Sequence, residues 1–250
     1  MRPLLLISGM LLVGAGVIVW TAPTWLVDSI AERYPGCVYR VSTGDRIVAL
    51  TLDDGPDSVS TPLILTQLRK HGAHATFFLI SGRVRGQEQL VRSIVAEGHE
   101  LGNHFSHQRP SIRLGLRQFE EDLLLARGVL RQFSHTAWAR PASGWYTQQM
   151  VHVMRRHGYR CALGSVYPFD AAIPSVSWAS RYILRNARPG AIVILHDGGG
   201  RGQRTAQVLA TVLPELQKRG YRVVPLSELL SRSQSRRNSS GCLEQSRQRS

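Results

Sequence analysis

Two adjacent carboxylates and a distant histidine are of residue types suited to acid–base chemistry. Asp53 and Asp54 directly follow a predicted strand. Neighbouring carboxylates at a strand end do not point the same way, so one can ligate a metal while the other handles a proton. His196 follows a second apolar strand and is suited to act as a general acid. The structural alternatives are an ordinary Asp-Gly turn and a packing histidine.

A third polar cluster is rich in histidine. Three histidines fall within the nine residues His99–His107, in a chain that has nine histidines altogether. His104 and His107 are three residues apart, a spacing that would place both side chains on one helical face and let them bind one metal ion. The structural alternative is a set of loop histidines on a basic surface.

Strands and helices alternate along the chain and must position these clusters. Repeated β-α units of this kind predict a parallel sheet or barrel covered by helices. In such folds the chemistry collects at the C-terminal ends of the strands, where the two Asp residues and His196 are expected. The predicted strands are 46–52, 74–80, 160–163, 191–195 and 221–225, and the predicted helices are 61–71, 88–97, 119–133, 151–157, 177–186 and 205–219.

Composition bounds the fold and the partners. The 250 residues suffice for one sizeable domain, and 43% hydrophobic against 19% charged residues excludes whole-chain disorder. The formal net charge is +14, and all basic residues except Lys70 and Lys218 are arginines. Such a surface favours nucleic acid, anionic lipid or an acidic wall polymer without choosing among them. Three cysteines (Cys37, Cys161 and Cys242) at unrelated spacings exclude a disulfide-rich scaffold and a zinc ribbon and leave the pairing of Cys37 and Cys161 open.

The two ends of the chain differ from the middle. Leu4 to Trp20 carries no charge and predicts a membrane anchor within residues 1–26, with a cleaved signal as the alternative. Residues 27–45 are a lead-in to a domain spanning 46–230. Residues 231–250 are rich in Ser and Arg, and we predict a disordered tail because they cannot bury enough apolar surface.

The polar clusters together carry a family resemblance. Thr51-Leu52-Asp53-Asp54-Gly55-Pro56 resembles the signature of the polysaccharide deacetylases, the NodB-homology domain. Four later motifs follow in the family's order: His74–Phe78, Gly98–His104, Arg140–Gly144 and Leu195–Gly198. The resemblance implies an α/β fold, a distorted (β/α) barrel preceded here by the anchor helix. It also implies a divalent metal such as zinc or cobalt, and hydrolysis of N-acetyl groups on amino-sugar polymers or oligomers of the chitin or peptidoglycan type.

The resemblance also implies roles for the acid–base residues. Asp53 would be the general base and Arg140 its ion-pair partner, which holds the carboxylate ionised. His196 would protonate the leaving amine, and Asp170, near the family's fourth motif, would orient that histidine. The fourth motif keeps one carboxylate where the family often has two, so Asp170 as a surface residue is the alternative.

The remaining family roles concern the metal and the substrate. Asp54 and His104 would ligate the metal, which polarises the acetamide carbonyl and activates water. Backbone N–H groups near Trp145 or Tyr146 would stabilise the oxyanion, and Leu195 would line the pocket for the acetyl methyl group.

The metal motif departs from the family pattern. The second histidine of that motif usually lies four residues after the first, and here that position is Gln108. Either the loop adjusts and His107 binds the metal, or two protein ligands are joined by water and Gln108.

The sequence thus predicts a membrane-anchored, monomeric carbohydrate N-deacetylase with its catalytic domain outside the cytoplasm. Secretion after signal cleavage is the alternative location. A glycan-binding pseudoenzyme that has lost turnover is the alternative function, and metal stoichiometry distinguishes the two. Nucleic-acid binding is not expected, because no basic motif with interleaved aromatic residues is present.

Overall fold

The central strand of the sheet is a continuous run of buried residues. In the computed structural model, which describes residues 20–232, strand β2 spans Ile47–Gly55 and all nine of its residues are buried. It pairs in parallel with β3 on one side and β7 on the other. Burial on both faces explains the apolar run, which is typical of a strand in the middle of a parallel sheet.

Helices and strands alternate through the described residues, which confirms the predicted α/β class. The helices are α1 (Thr24–Arg33), α2 (Ser60–Lys70), α3 (Glu88–Ala96), α4 (Leu116–Leu130), α5 (Gln148–Arg156), α6 (Val176–Asn186) and α7 (Gly199–Lys218). The strands are β1 (Cys37–Val38), β2 (Ile47–Gly55), β3 (Thr76–Leu79), β4 (Glu100–Asn103), β5 (Trp138–Ala139), β6 (Arg160–Ala162), β7 (Ile192–His196) and β8 (Arg222–Val224). The sequence did not predict α1, β1, β4 or β5.

The sheet curls until its two edges meet. The strand order is β1-β6-β5-β4-β3-β2-β7, with β8 paired to the start of β2. Arg40, after β1, bridges to Ala191 before β7, and Val166, after β6, bridges to Val193. At this junction a Cβ on Gly190 would lie 1.7 Å from the carbonyl oxygen of Val41, so the close approach requires glycine. The arrangement is barrel-like.

Alternate residues of the central strands serve two apolar clusters. One cluster lies between the sheet and the helix layer. Its strand residues include Val48, Leu50, Leu52, Val193 and Leu195, and its helix residues include Ile64, Leu68, Leu209 and Leu213. Ile47 and Ala49 face the barrel interior with Phe78, Trp138 and Ile192. Because side chains alternate along a strand, Asp53 and His196 continue the interior set at the strand ends.

A disulfide joins the lead-in segment to strand β6 of the sheet. Cys37 on β1 and Cys161 on β6 are register partners and form a disulfide across a sequence separation of 124. The sequence alone had left this pairing open.

The predictions for both termini lie largely outside the described residues. Residues 1–19 contain most of the apolar run, and residues 233–250 contain most of the Ser/Arg-rich segment and Cys242. Within residues 20–232, no helix combines the length and the apolar character that a membrane crossing requires.

Candidate active site

One cavity lies at the C-terminal ends of the strands, where the predicted catalytic residues converge. Its volume is about 470 Å³. The predicted residues that line it are Asp53, Asp54, His104, Gln108, Arg140 and His196. Its wall also contains residues that sequence reasoning missed, among them Tyr39, Tyr167, Ile194 and Arg201.

A local irregularity lets two successive carboxylates reach this cavity. The pairing between β2 and β3 shifts register between Asp53 and Gly55, and Asp54 has a φ of +73°, in the left-handed region. In a regular strand, neighbouring side chains would point to opposite faces, and a bulge re-aims one of them. The irregular backbone conformation at Asp54 is therefore consistent with the different roles predicted for Asp53 and Asp54.

Asp53 is held by a buried arginine. Arg140 is 1% exposed, and its Nη1 donates to Asp53 Oδ1 at 2.5 Å and to Thr51 Oγ1 at 2.9 Å. Its Nε donates to the carbonyl oxygen of Ala162 at 2.9 Å, and the guanidinium lies 4.1 Å from the centre of the Phe78 ring. Arg140 thus keeps the Asp53 carboxylate in one position at the cavity floor.

Asp54 and His104 have the geometry of two metal ligands. His104 Nδ1 donates to the carbonyl oxygen of Arg140 at 2.8 Å, which leaves Nε2 facing Asp54 Oδ1 at 3.5 Å. Zinc bonds of about 2.0–2.1 Å give a tetrahedral edge of about 3.4 Å, so both atoms can bind one ion. The backbone bond to Nδ1 is the kind of contact that orients a metal-binding histidine.

The charge of Asp54 suits the same role. Burial alone would raise the pKa of its carboxyl group. The contact with His104 and the nearby positive charges of His196 and Arg201 outweigh burial and lower the pKa to about 2. The group therefore stays ionised throughout the physiological range.

The structure brings Gln108, and not His107, to Asp54. Gln108 Nε2 donates to Asp54 Oδ2 at 3.0 Å, while Gln108 Oε1 accepts from Arg83 at 2.9 Å. Exchanging the amide oxygen and nitrogen would set oxygen against carboxylate and nitrogen against guanidinium, so the neighbours fix this orientation. The amide oxygen is thus engaged by Arg83 and does not face Asp54.

His107 lies away from the cavity. Its side chain is 65% exposed, and its Nδ1 is 2.7 Å from Ser106 Oγ and 3.6 Å from Asp122. The helical face expected for His104 and His107 is wrong, because β4 ends at Asn103 and the residues after it are not helical. Within residues 20–232, no three His, Cys, Asp or Glu side chains converge as a metal-binding group.

His196 forms a dyad with Asp170. His196 Nδ1 is 2.9 Å from Asp170 Oδ2, and the backbone N–H of His196 donates to the same oxygen at 3.2 Å. Burial would lower the pKa of His196, but the bond to Asp170 and the charges of Asp170, Asp53 and Asp54 raise it above the ordinary value. The imidazole is thus held protonated to higher pH, as a general acid requires.

The three residues predicted to contact substrate have different positions. Trp145 is 71% exposed, next to Gly144 in the cavity wall. Tyr146 donates to the carbonyl oxygen of Tyr34 and accepts from the hydroxyl of Tyr39, which does line the cavity.

Leu195 is 1% exposed and belongs to the cluster under the helices, so the structure does not bring it to the cavity. Ile194 lines the cavity instead. Strand alternation was the signal that could have found it, since Ile194 and His196 are two residues apart and share a face.

Asp197, to which the sequence assigned no role, connects the two catalytic loops. It is fully buried, and its backbone N–H donates to the carbonyl oxygen of Asp53 at 2.6 Å. Its carboxylate accepts from Ser60 at 2.7 Å and from Thr61 at 2.5 Å, in the first turn of α2. Burial raises its pKa to about 6. These bonds fix the β2–α2 loop against the β7–α7 loop.

The fold and cavity define a class of parallel α/β proteins that place acid–base residues at strand ends, and the comparisons identify the family. The polysaccharide deacetylase profile matches residues 40–162. A Bacillus cereus peptidoglycan-N-acetylglucosamine deacetylase is 37% identical over 195 residues, covering 77% of this chain and 92% of the relative. A Bradyrhizobium chitooligosaccharide deacetylase is 35% identical over 205 residues, covering 76% and 94%.

A solved structure agrees with these sequences. The crystal structure of a peptidoglycan N-acetylglucosamine deacetylase in complex with 4-naphthalen-1-yl-N-oxidanyl-benzamide superposes with a TM-score of 0.75. It is 26% identical, and the match covers 81% of this chain and 96% of that one. The chain belongs to the polysaccharide deacetylase family, and the relatives above are named as carbohydrate N-deacetylases.

The position of Gln108 leads to a prediction about metal affinity. Because its side chain already contacts Asp54, Gln108→His should add a third ligand and tighten zinc binding by about tenfold or more. Competition with a chelator of known affinity, using the purified protein, measures the change. The control is His107→Gln, which should leave the affinity unchanged because His107 faces Asp122. Weaker zinc binding by His107→Gln than by the wild-type protein would instead identify His107 as the third ligand.

Proposed function

We propose that the protein is a metal-dependent hydrolase that removes N-acetyl groups from amino-sugar polymers or oligomers of the peptidoglycan or chitin type. The observation that carries the proposal is the placement of two dyads at one cavity, Asp53 with Arg140 and His196 with Asp170; Asp53, Arg140 and His196 line the cavity. One dyad is suited to accept a proton and the other to donate one. The names of the relatives, which act on peptidoglycan and on chitooligosaccharides, support the substrate class.

The two dyads divide the proton transfers of amide hydrolysis. Asp53 accepts a proton from the attacking water at its carboxylate, which Arg140 holds in place. His196 donates its proton to the sugar nitrogen as the bond between that nitrogen and the acetyl carbon breaks. Acetate and the free amine leave, and a proton passing from Asp53 to His196 through solvent restores both groups.

Asp54 Oδ1 and His104 Nε2 are the atoms that would hold the metal, and zinc or cobalt suits this donor pair. When bound, such an ion polarises the acetamide carbonyl and acidifies water. Arg140 supports both sides of the site, because its side chain holds Asp53 and its carbonyl oxygen orients His104.

Exposed aromatic surface beside the cavity suits a sugar polymer. Trp145 lies at the rim with most of its indole accessible, and the Tyr167 ring lies 6.1 Å from the His196 ring. Aromatic faces offer apolar contact together with a polar tip, which fits the two faces of a sugar ring. We assign Trp145 and Tyr167 to substrate contact.

One observation favours the pseudoenzyme as the second candidate. The amide nitrogen of Gln108 faces Asp54 at the position where the family has a histidine, so the site offers fewer metal ligands than the family pattern. A pseudoenzyme would be purified without metal at micromolar zinc, whereas the proposed hydrolase would carry about one ion per chain.

We further propose a location outside the cytoplasm, with the apolar run Leu4 to Trp20 as a membrane anchor. Two observations support this. The run is long enough to approach the thickness of a bilayer core, and the Cys37–Cys161 disulfide suits an oxidising compartment.

Substitution of the adjacent carboxylates tests the proposed function. Asp53→Asn should retain bound metal but lower acetate release from N-acetylglucosamine polymers by about 10²- to 10⁴-fold, since it removes the proton acceptor. Asp54→Asn should lose the metal, because it removes a ligand. Metal analysis and acetate assay of the same preparations give both readouts. Wild-type levels of metal and activity in both variants would contradict the assignment.

The dyad of His196 and Asp170 leads to a pH prediction. Asp170→Asn removes the carboxylate that raises the pKa of His196. The imidazolium is then lost at lower pH, so the alkaline limb of the kcat profile should move to lower pH.

His196→Ala should lower kcat on the amide by about 10²- to 10⁴-fold. An acetyl ester with an activated leaving group, which needs no proton, is the control and should lose much less. Equal losses on both substrates would exclude His196 as the acid.

The anchor is tested by cell fractionation. Full-length chain should remain in the membrane fraction after a carbonate wash, because an apolar span is not removed by high pH or salt. A soluble form that begins near residue 23 would show cleavage and contradict the anchor.

A further inference from the structure

Two arginines line the catalytic cavity, and their environments differ. Arg140 is buried, and its guanidinium donates to Asp53, Thr51 and two backbone carbonyl oxygens. The side chain of Arg201 is 30% exposed. Among the described residues it donates one hydrogen bond, from Nη2 to Asp54 Oδ2 at 3.0 Å. A guanidinium has five N–H groups, so most of the Arg201 fork has no protein partner within residues 20–232.

The position of Arg201 is unfavourable for a purely structural cation. It lies in the first turn of α7, which has no acidic residue there. The partial positive charge of a helix N-terminus disfavours a cation in that turn. Asp54, moreover, keeps a second donor in Gln108, whose Nε2 bonds the same oxygen. Arg201 can therefore turn toward a substrate without leaving Asp54 Oδ2 unpaired.

The N–H groups of Arg201 that have no partner within residues 20–232 indicate which kind of ligand this side chain would bind. A planar pair of N–H donors matches the two oxygens of a carboxylate, which it binds bidentately and more strongly than a neutral acceptor. The distance of 3.0 Å to Asp54 limits where that carboxylate can be. Since Asp54 adjoins the reacting acetamide in the proposed mechanism, the anion must belong to the same sugar ring or to the next one.

We propose that Arg201 is a specificity residue that binds a carboxylate on or beside the N-acetylated sugar, so that the enzyme prefers acidic glycans to neutral ones. The inference rests on the proposed deacetylase function and adds the charge of its substrate. Peptidoglycan strands without stem peptides carry such a carboxylate, in the lactyl ether of N-acetylmuramic acid, whereas chitin oligomers do not.

Matched substrates test this proposal. One is peptidoglycan glycan strands freed of stem peptides, and the other is the same strands with their carboxylates methyl-esterified. The wild-type kcat/KM for acetate release should be about tenfold or more higher on the free acid, as expected for a charge-assisted bidentate contact. Arg201→Gln should lose more on the acid than on the ester and bring the ratio close to one. Arg201→Lys should keep part of the preference, because it retains the charge without the fork.

A control and a binding measurement separate the possible outcomes. Arg204→Gln removes the same charge from the same helix at a residue outside the cavity lining, and the ratio should not change. Calorimetric binding of both strands to Asp53→Asn, with and without Arg201→Gln, repeats the comparison without turnover. Equal wild-type rates on the two strands, or equal losses on both in Arg201→Gln, would overturn the inference. An absence of acetate from these strands and from chitohexaose, with binding preference intact, would overturn the deacetylase function alone.

Discussion

The buried ion pair between Asp53 and Arg140 is the interaction on which the rest of the site depends. Arg140 has almost no contact with solvent, so its charge must be neutralised and its donors satisfied inside the barrel. Breaking a buried pair by removing one partner typically costs about 3–5 kcal/mol, because the remaining charge has no compensation. The end of β2, the end of β6 and the segment after β5 must therefore keep their relative positions.

The same residue couples the two sides of the chemistry. The Arg140 side chain positions the proton acceptor, and the carbonyl oxygen of Arg140 fixes the ring of His104. Behind them, Asp197 joins the loops that follow β2 and β7 through bonds to Asp53, Ser60 and Thr61. The polar groups at the strand ends thus form a connected hydrogen-bond network. In this network the residues that line the cavity are held by buried residues behind them.

Much of the fold could be predicted from sequence, because the spacing of apolar residues in a long segment indicates its secondary structure without reference to the rest of the chain. The apolar run of β2 and the helical spacing in α2 were read within three residues of the observed bounds. Strands β1 and β5 have two residues each, and they are strands because neighbours pair with them. No local pattern carries that information.

The site was predictable where a motif fixes a residue and less so where backbone geometry decides. Asp53, Asp54, His104, Arg140 and His196 reach one cavity as the motifs indicated. His107 does not, since the segment after β4 is not helical, and Gln108 takes the place beside Asp54. Arg201 was overlooked because the glycines around it indicate a loop, whereas α7 already begins at Gly199.

The disulfide has a mechanical consequence. Cys37 and Cys161 are direct partners of a short parallel pair, and Tyr39 and Leu163, two residues beyond them, both line the cavity. Tension on the chain before Cys37 would otherwise pull on the few hydrogen bonds of β1, which could open one by one. The covalent link passes such a force directly to β6 in the body of the sheet. The backbone at Tyr39 is thereby protected from a force transmitted along the chain from the segment before Cys37.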